Sequence, residues 1–423
     1  MRNQTEFEVL ESSYPIHPYH ILEQNSVASF FEPIFSVPKM GVIGLETRNR
    51  AVHPANQSLI DPKDIFRGMG SEEPGLKLAL DRLLRQKGLE EFSPFQVQSP
   101  DLLLFMEIEP SILKGTTVGS GHLLSQVQNL NLNPQQIAVE ISLKGEMDLK
   151  FVGKFMEIQH GFGFLLTLRD ATAKLEHLDA VLRFNPDMVR VEDSLVRGLA
   201  SKPENRRAFR KISTLAHKLG ILVIAGGLES EEDALVALEM GADLLQGRYF
   251  YRNHKSQSVL VLGRKARMQF LADRYRRRLA HKAKGDRDLM QRCRWMSESI
   301  FNLLNEPPET GLEKEFTSIF RRYPFLECLY LLDGEGLQVS EAVCNEFHVP
   351  ERKKLLFQAS PKGADHSLRE YYYALTGGQE NHLTEPYLSM NSGNLCVTAS
   401  QLTSDPVHGS AIILCADLNL SKV

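Results

Sequence analysis

Six carboxylates stand at or just beyond the ends of short apolar runs: Glu46, Glu107, Glu140, Asp170, Glu192 and Glu229. Acidic side chains that converge on one place can hold a divalent cation, and a held cation polarises a substrate and activates water. Any one of the six serves equally well as a helix cap or a solvated charge; as a set they point to a metal-binding mouth.

Converging carboxylates need a frame. From Ser29 to Phe250 the strand-like runs Phe30–Phe35, Val42–Thr47, Leu102–Ile108, Ile137–Ile141, Phe164–Leu168, Met188–Val191, Leu222–Ala225 and Leu244–Gln246 alternate with longer stretches of helical period. That alternation predicts repeated βα units around a parallel sheet, an α/β chain whose strands close into a (β/α)8, TIM-like barrel with one mouth at their C-terminal ends. The helical patterns end where they should: Gly220 closes Arg206–Leu219, and Gly241 closes the run at Glu231–Met240.

The order of motifs from Phe30 to Tyr251 resembles the EAL-domain family, bacterial phosphodiesterases of cyclic di-GMP. The family's opening Tyr-Gln-Pro-Ile is similar to Phe31-Glu32-Pro33-Ile34, and its Gly-x-Glu-Ala-Leu-x-Arg to the stretch Gly44 to Arg50. Glu107-Ile108-Glu109-Pro110 stands for Asn-x-Ser-Pro, Glu140-Ile141-Ser142-Leu143 for Glu-x-Thr-Glu, and Leu168-Arg169-Asp170-Ala171-Thr172 for the Asp-Asp loop. Arg190-Val191-Glu192 takes the place of Lys-Ile-Asp, Ala225 to Glu229 that of Ala-Glu-Gly-Val-Glu, and Gln246 to Phe250 that of the Gln-Gly-Tyr-Tyr-Phe ending.

The resemblance implies two divalent cations, Mg or Mn, held by Glu46, Glu107, Glu140, Asp170 and Glu192, but several positions depart from the pattern. Arg169 falls on a lost Asp ligand, Glu107 on an Asn, Arg190 on an assisting Lys, and Gly226 on the Glu that activates water. Losing a general base alone removes roughly 10²–10⁴-fold of rate. Arg190, Gly226, Glu229 and Gln246 are therefore expected to be vestiges of catalysis, with no cofactor held. Arg169 is expected to act as a built-in cation, paired with some of Glu46, Glu107 and Glu140. A nucleotide, if bound, would meet Glu32, Arg48, Arg50 and Gln246. The Gly226-Gly227 pair reads as a turn after its strand. The expected function is a catalytically inactive signalling module; the alternatives are a cyclic di-GMP receptor and, after it, an active phosphodiesterase.

The rest of the chain supplies context. At 423 residues, 42% hydrophobic and 24% charged, it is a globular sequence of two or three domains and neither disordered nor collagen-like. The N-terminus has no basic start followed by an apolar core, and no run of about 18 apolar residues occurs, so a cytoplasmic protein without a membrane partner is expected. Cys293, Cys328, Cys344, Cys396 and Cys415 are odd in number and widely spaced, which predicts reduced, buried thiols.

The net charge of −4 hides an asymmetry: Arg264 to Arg294 carries a surplus of nine positive charges, leaving −13 elsewhere. This segment belongs to a long helical region, Lys255 to Asn305, with a break expected at Gly285. Apolar residues at helical spacing favour a linker or homodimer surface there over nucleic acid. Beyond Pro307-Pro308 the strands Cys328–Leu332, Leu337–Ser340, Leu395–Ser400 and Ala411–Asp417, with helices at Leu312–Arg321 and Leu368–Leu375, make an α+β module that loosely resembles PAS-like and Cache sensor domains. There Arg369, Tyr371 and Asp417 are candidates to grip a small metabolite; Arg369 pairing with Asp417, among core tyrosines, is the alternative. The expected organisation is an N-terminal extension (1–28), a barrel (29–254), a basic linker (255–306) and a sensor module (307–423), with a protein partner for the whole.

Overall fold

The computed structural model describes residues 17–53, 56–69, 74–144, 148–251, 265–304, 319–345, 357–404 and 411–422. The chain divides into two compact units, Met1–Arg277 and Arg278–Val423.

In the first unit the strands are β1 (Val27–Ser36), β2 (Gly41–Val52), β3 (Leu59–Ile60), β4 (Leu103–Ile108), β5 (Ile137–Ser142), β6 (Leu165–Ala171), β7 (Met188–Val191), β8 (Leu222–Ala225) and β9 (Leu244–Leu245). Their order is β1-β9-β8-β7-β6-β5-β4-β2, and β1 pairs β2 to close the ring; β3 hangs on β2 outside it. All eight expected strands are present. One expectation is corrected: the ring is not wholly parallel, because β1 runs antiparallel to both β2 and β9. Only Val37–Met40 separate β1 from β2, and a parallel crossover needs about a dozen residues.

Side-chain alternation sorts the strands. Outward residues such as Leu104, Val139, Leu166, Val189 and Val223 pack beneath the helices, including Phe92, Phe155, Phe209 and Ile212. Inside, Ile34, Phe105, Ala138, Met188, Ile224 and Leu244 fill the barrel with a dry plug. The helices Pro203–Lys218 and Glu231–Glu239 end just before Gly220 and Gly241, whose positive φ values of +75° and +98° turn the chain back toward the next strand.

A 40-residue helix, Lys265–Leu304, passes from the first unit into the second without a break at Gly285, contrary to expectation; residues 252–264 lie outside the described residues. Met268 and Leu271 at its start are buried in the barrel's outer core, whereas residues 279–287 are exposed. A lone glycine on a solvated helix costs only about 1 kcal/mol relative to alanine, which flanking helical turns absorb.

The second unit is an antiparallel sheet of β10 (Leu326–Leu332), β11 (Val343–Cys344), β12 (Asn381–Leu383), β13 (Tyr387–Leu388), β14 (Leu395–Ser404) and β15 (Ala411–Asn419), ordered β11-β10-β15-β14-β12 with β13 also on β14. Ile300 and Phe301 of the long helix cover one face and Tyr371 and Leu375 of the helix Glu370–Thr376 the other. Leu337–Ser340, expected as a strand, makes only isolated bridges, Leu337 with Asp365 and Gln338 with Leu332, and the Leu331 amide donates to the Ser340 hydroxyl rather than to a backbone carbonyl. The helix expected at Leu312–Arg321 lies mostly outside the described residues. The thiol expectation is corrected as well. Cys328 and Cys344 are directly opposed on β10 and β11 and form a disulfide, while Cys293, Cys396 and Cys415 are free and buried. Strand register, which sequence spacing does not reveal, brings that pair together. Among the described residues no helix is long and apolar enough to cross a membrane.

Candidate functional site

The period of two along a strand builds the site on top of the apolar plug. Two residues past Phe105, Ala138, Met188 and Leu244 come Glu107, Glu140, Arg190 and Gln246; on antiparallel β1 the same step from Ile34 gives Glu32. Leu165 is followed on the same side by Thr167 and then Arg169. All the strands of the ring but β8 thus deliver a polar side chain to one layer at the mouth; on β8 the same step from Ile224 gives Gly226.

Arg169 is the centre of that layer. Its Nη1 lies 2.7 Å from Glu46, 3.0 Å from Glu140 and 3.2 Å from Glu107. Arg190 places Nη2 2.9 Å from Glu140 and 3.4 Å from Glu46, and its Nη1 donates to the Gln246 carbonyl, whose amide donates in turn to Glu46 at 2.7 Å. Arg48 bridges Glu32 at 3.0 Å and Glu46 at 3.1 Å, and Lys63 reaches Glu107 at 3.0 Å. The four carboxylates Glu32, Glu46, Glu107 and Glu140 are thus matched by four cations. A second, more exposed group lies beside them, where Lys144 stands 3.1 Å from both Asp170 and Glu192 and the Ser142 hydroxyl donates to Asp170.

Burial and pairing compete at these groups. Burial penalises the Glu46 carboxylate, but the Arg190, Arg48 and Arg169 guanidiniums outweigh it and hold its carboxyl well below the usual range. At Asp170 burial is likewise overcome by the Ser142 hydrogen bond and by Arg169 and Lys144. Burial lowers Arg169, yet Glu46, Glu140 and Glu107 hold its pKa well above the usual arginine value. The donor set does not fit a divalent cation here, since a guanidinium occupies hydrogen-bond distance to three would-be ligands. Among the described residues no group of three or more His, Cys, Asp or Glu side chains is arranged to hold a metal ion.

The remaining candidates fall elsewhere. Glu229 is exposed and paired with Arg248. Arg50 lies 3.6 Å from Asp61, and with Glu32, Arg48, Lys63, Phe66 and Glu107 it lines a cavity of about 250 Å³ beside the charged layer. A Cβ on Gly226 would lie 2.8 Å from the Asp193 carboxylate, which fills the space next to the glycine pair. Gly247, after Gln246, approaches Leu228 so closely that a Cβ would lie 2.1 Å from its carbonyl oxygen, at a φ of +153°. In the second unit Arg369 is exposed at the start of its helix, Tyr371 bonds His366 at 2.7 Å, and Asp417 is fully buried. Asp417 accepts from Thr398 at 2.7 Å and Asn391 at 3.0 Å; burial pushes its carboxyl up to about 6 against those bonds.

Lys63, Lys144 and Asp193 were not among the expected site residues. Lys144 continues the inward alternation of β5 past Ser142, and Lys63 follows the helix-start signal Asp61-Pro62, so each carried a local signal without a chemical one.

An eight-stranded barrel with one antiparallel strand and a carboxylate-lined mouth defines the class. Residues 19–253 match the EAL domain, and the chain belongs to the EAL-domain family. It is 23% identical to the signaling protein YkoW of Bacillus subtilis over 55% of this chain and 28% of that one. With the EAL-domain containing protein YkuI of Bacillus subtilis it shares 22% over 77% of this chain and 79% of that one, and with the cyclic di-GMP phosphodiesterase RocR of Pseudomonas aeruginosa 22% over 56% and 60%. The chain thus spans under a third of YkoW and three fifths of RocR. The solved structure of YkuI in complex with c-di-GMP and calcium superposes with a TM-score of 0.72 at 17% identity, covering 96% of this chain and 98% of that one.

Proposed function

We propose that the chain is an EAL-domain signalling protein that does not hydrolyse cyclic di-GMP and acts from the cytoplasm as a regulatory module on a protein partner. The second unit, taken from about residue 307, serves in this reading as a sensor or dimerisation module. The observation that carries it is the Arg169 guanidinium, which holds Glu46, Glu107 and Glu140 at once. Phosphodiester hydrolysis by this family's route needs cations facing an already anionic phosphate and a base for the water. Here the cationic charge is spent on the carboxylates, and Gly226 has no side chain.

Incubation of the full chain with cyclic di-GMP and either Mg²⁺ or Mn²⁺, followed by chromatography of the nucleotides, tests the reading. Unchanged nucleotide is expected, and appearance of the linear product would overturn it.

A second reading is favoured by the cavity beside the charged layer. Arg48 and Arg50 both line it, and guanidiniums suit a phosphate. A cyclic di-GMP receptor would give a saturable titration isotherm without turnover, and a flat isotherm with and without Mg²⁺ would remove this reading while leaving the first.

A further inference from the structure

The second unit contains a cavity of about 260 Å³ between the long helix Lys265–Leu304 and the strand β12 at the sheet edge. Its apolar floor is Phe301 and Ala399, both buried. Its walls carry amides from Gln379, Asn381 and Gln401, with Asn381 and Gln401 directly opposed across β12 and β14. The lining also holds His382, whose Nε2 lies 3.1 Å from Glu370, and two opposite charges, Arg294 and Glu298, four residues apart on one helix face. That spacing permits an ion pair, although acid after base is the weaker order on a helix. Neither side chain pairs with another described residue, so both charges remain available at the rim.

We infer that this cavity binds a small zwitterion, with Arg294 receiving its carboxylate and Glu298 its ammonium group, while the amide walls hydrogen-bond the body. The volume lies just below the roughly 300–1,000 Å³ usual for ligand pockets, which suits a molecule of amino-acid size and excludes a dinucleotide. Arg294 offers a carboxylate two parallel N–H bonds, and Glu298 accepts from an ammonium. A ligand with one charge would leave the opposite side chain unanswered. The inference concerns the second unit alone, so its failure leaves the reading of the barrel mouth untouched.

The test is a thermal-shift and calorimetric screen of the full chain against the twenty protein amino acids, β-alanine and γ-aminobutyrate. Propionate and ethylamine serve as single-charge controls. Saturable binding of at least one zwitterion is expected, with no binding of either control. Arg294→Met and Glu298→Gln are exposed-site changes expected to leave the unfolding midpoint of the free protein in place, and each should weaken binding by roughly tenfold or more. Three outcomes overturn the inference: no zwitterion binds, the controls bind equally well, or both variants bind as the parent does. Binding of extended peptides without free amino acids would also overturn it, in favour of strand addition at β12.

Discussion

Arg169 and Glu46 are 123 positions apart in the chain, and their Nη1 and Oε1 atoms are 2.7 Å apart at the barrel mouth. The contact joins β6 to β2 across the ring, and both residues are buried. A buried charge stripped of its partner is far more costly than an exposed one, and this contrast sets the first expectation.

Arg169→Met should destabilise the barrel by about 3–5 kcal/mol, since three carboxylates would then face one another with only Arg190, Arg48 and Lys63 left to answer them. Lys144→Met should cost less than about 1 kcal/mol, because Lys144 is largely exposed. Urea unfolding of the two variants measures both. Similar costs would mean that the guanidinium is not the structural centre of the mouth.

Gly247→Ala should lower stability by more than about 3 kcal/mol, because the new Cβ meets the Leu228 backbone, which cannot rotate away. The displacement would also move Gln246 off Glu46 and Arg190. A melting temperature close to the parent's would contradict the packing described.

Asp417 gives the second unit a pH dependence of definite sign. Its folded pKa of about 6 exceeds the ordinary aspartate value of about 3.9, so between those limits the folded state holds a proton that the unfolded state has released. The stability of this unit should therefore fall as pH rises from about 4 to 6, by on the order of 3 kcal/mol. Asp417→Asn should remove that slope in chemical unfolding curves taken across the range, and a slope that survived the substitution would assign it to another group.

The Cys328–Cys344 disulfide closes a loop with a sequence separation of 16. A loop of that size is worth about 3 kcal/mol on the chain-entropy account. Reduction with a phosphine should lower the melting temperature of the oxidised protein and leave a Cys328→Ser, Cys344→Ser double variant unaffected. An equal shift in both would place the effect elsewhere.

The barrel was legible because each of its strands is a bounded apolar run, and Glu46, Glu107 and Glu140 stood out because strand ends meet at one mouth; Arg169 stood out only through the resemblance to the EAL domain, which puts it where that family has an Asp. The direction of β1 could have been read from the short Val37–Met40 connection, but strand counting alone passes over it. Lys63 and Lys144 were hidden for a different reason: their partners come from other strands, and no local pattern records which carboxylate a flexible lysine will reach. Cys344 was hidden in the same way, since its two-residue strand finds Cys328 only through sheet register.

The matched charges at the mouth also limit how this protein can change. Putting an acid at position 169 alone would leave the buried Glu46 and Glu140 and the half-buried Glu107 beside a fourth negative group; adding a glutamate at position 226 alone would crowd Asp193 and leave Arg169 in place. Each single step toward a cation-dependent mouth passes through a less stable barrel or gains nothing. The guanidinium therefore acts as a ratchet, and substitutions that return chemistry to this site must arrive together.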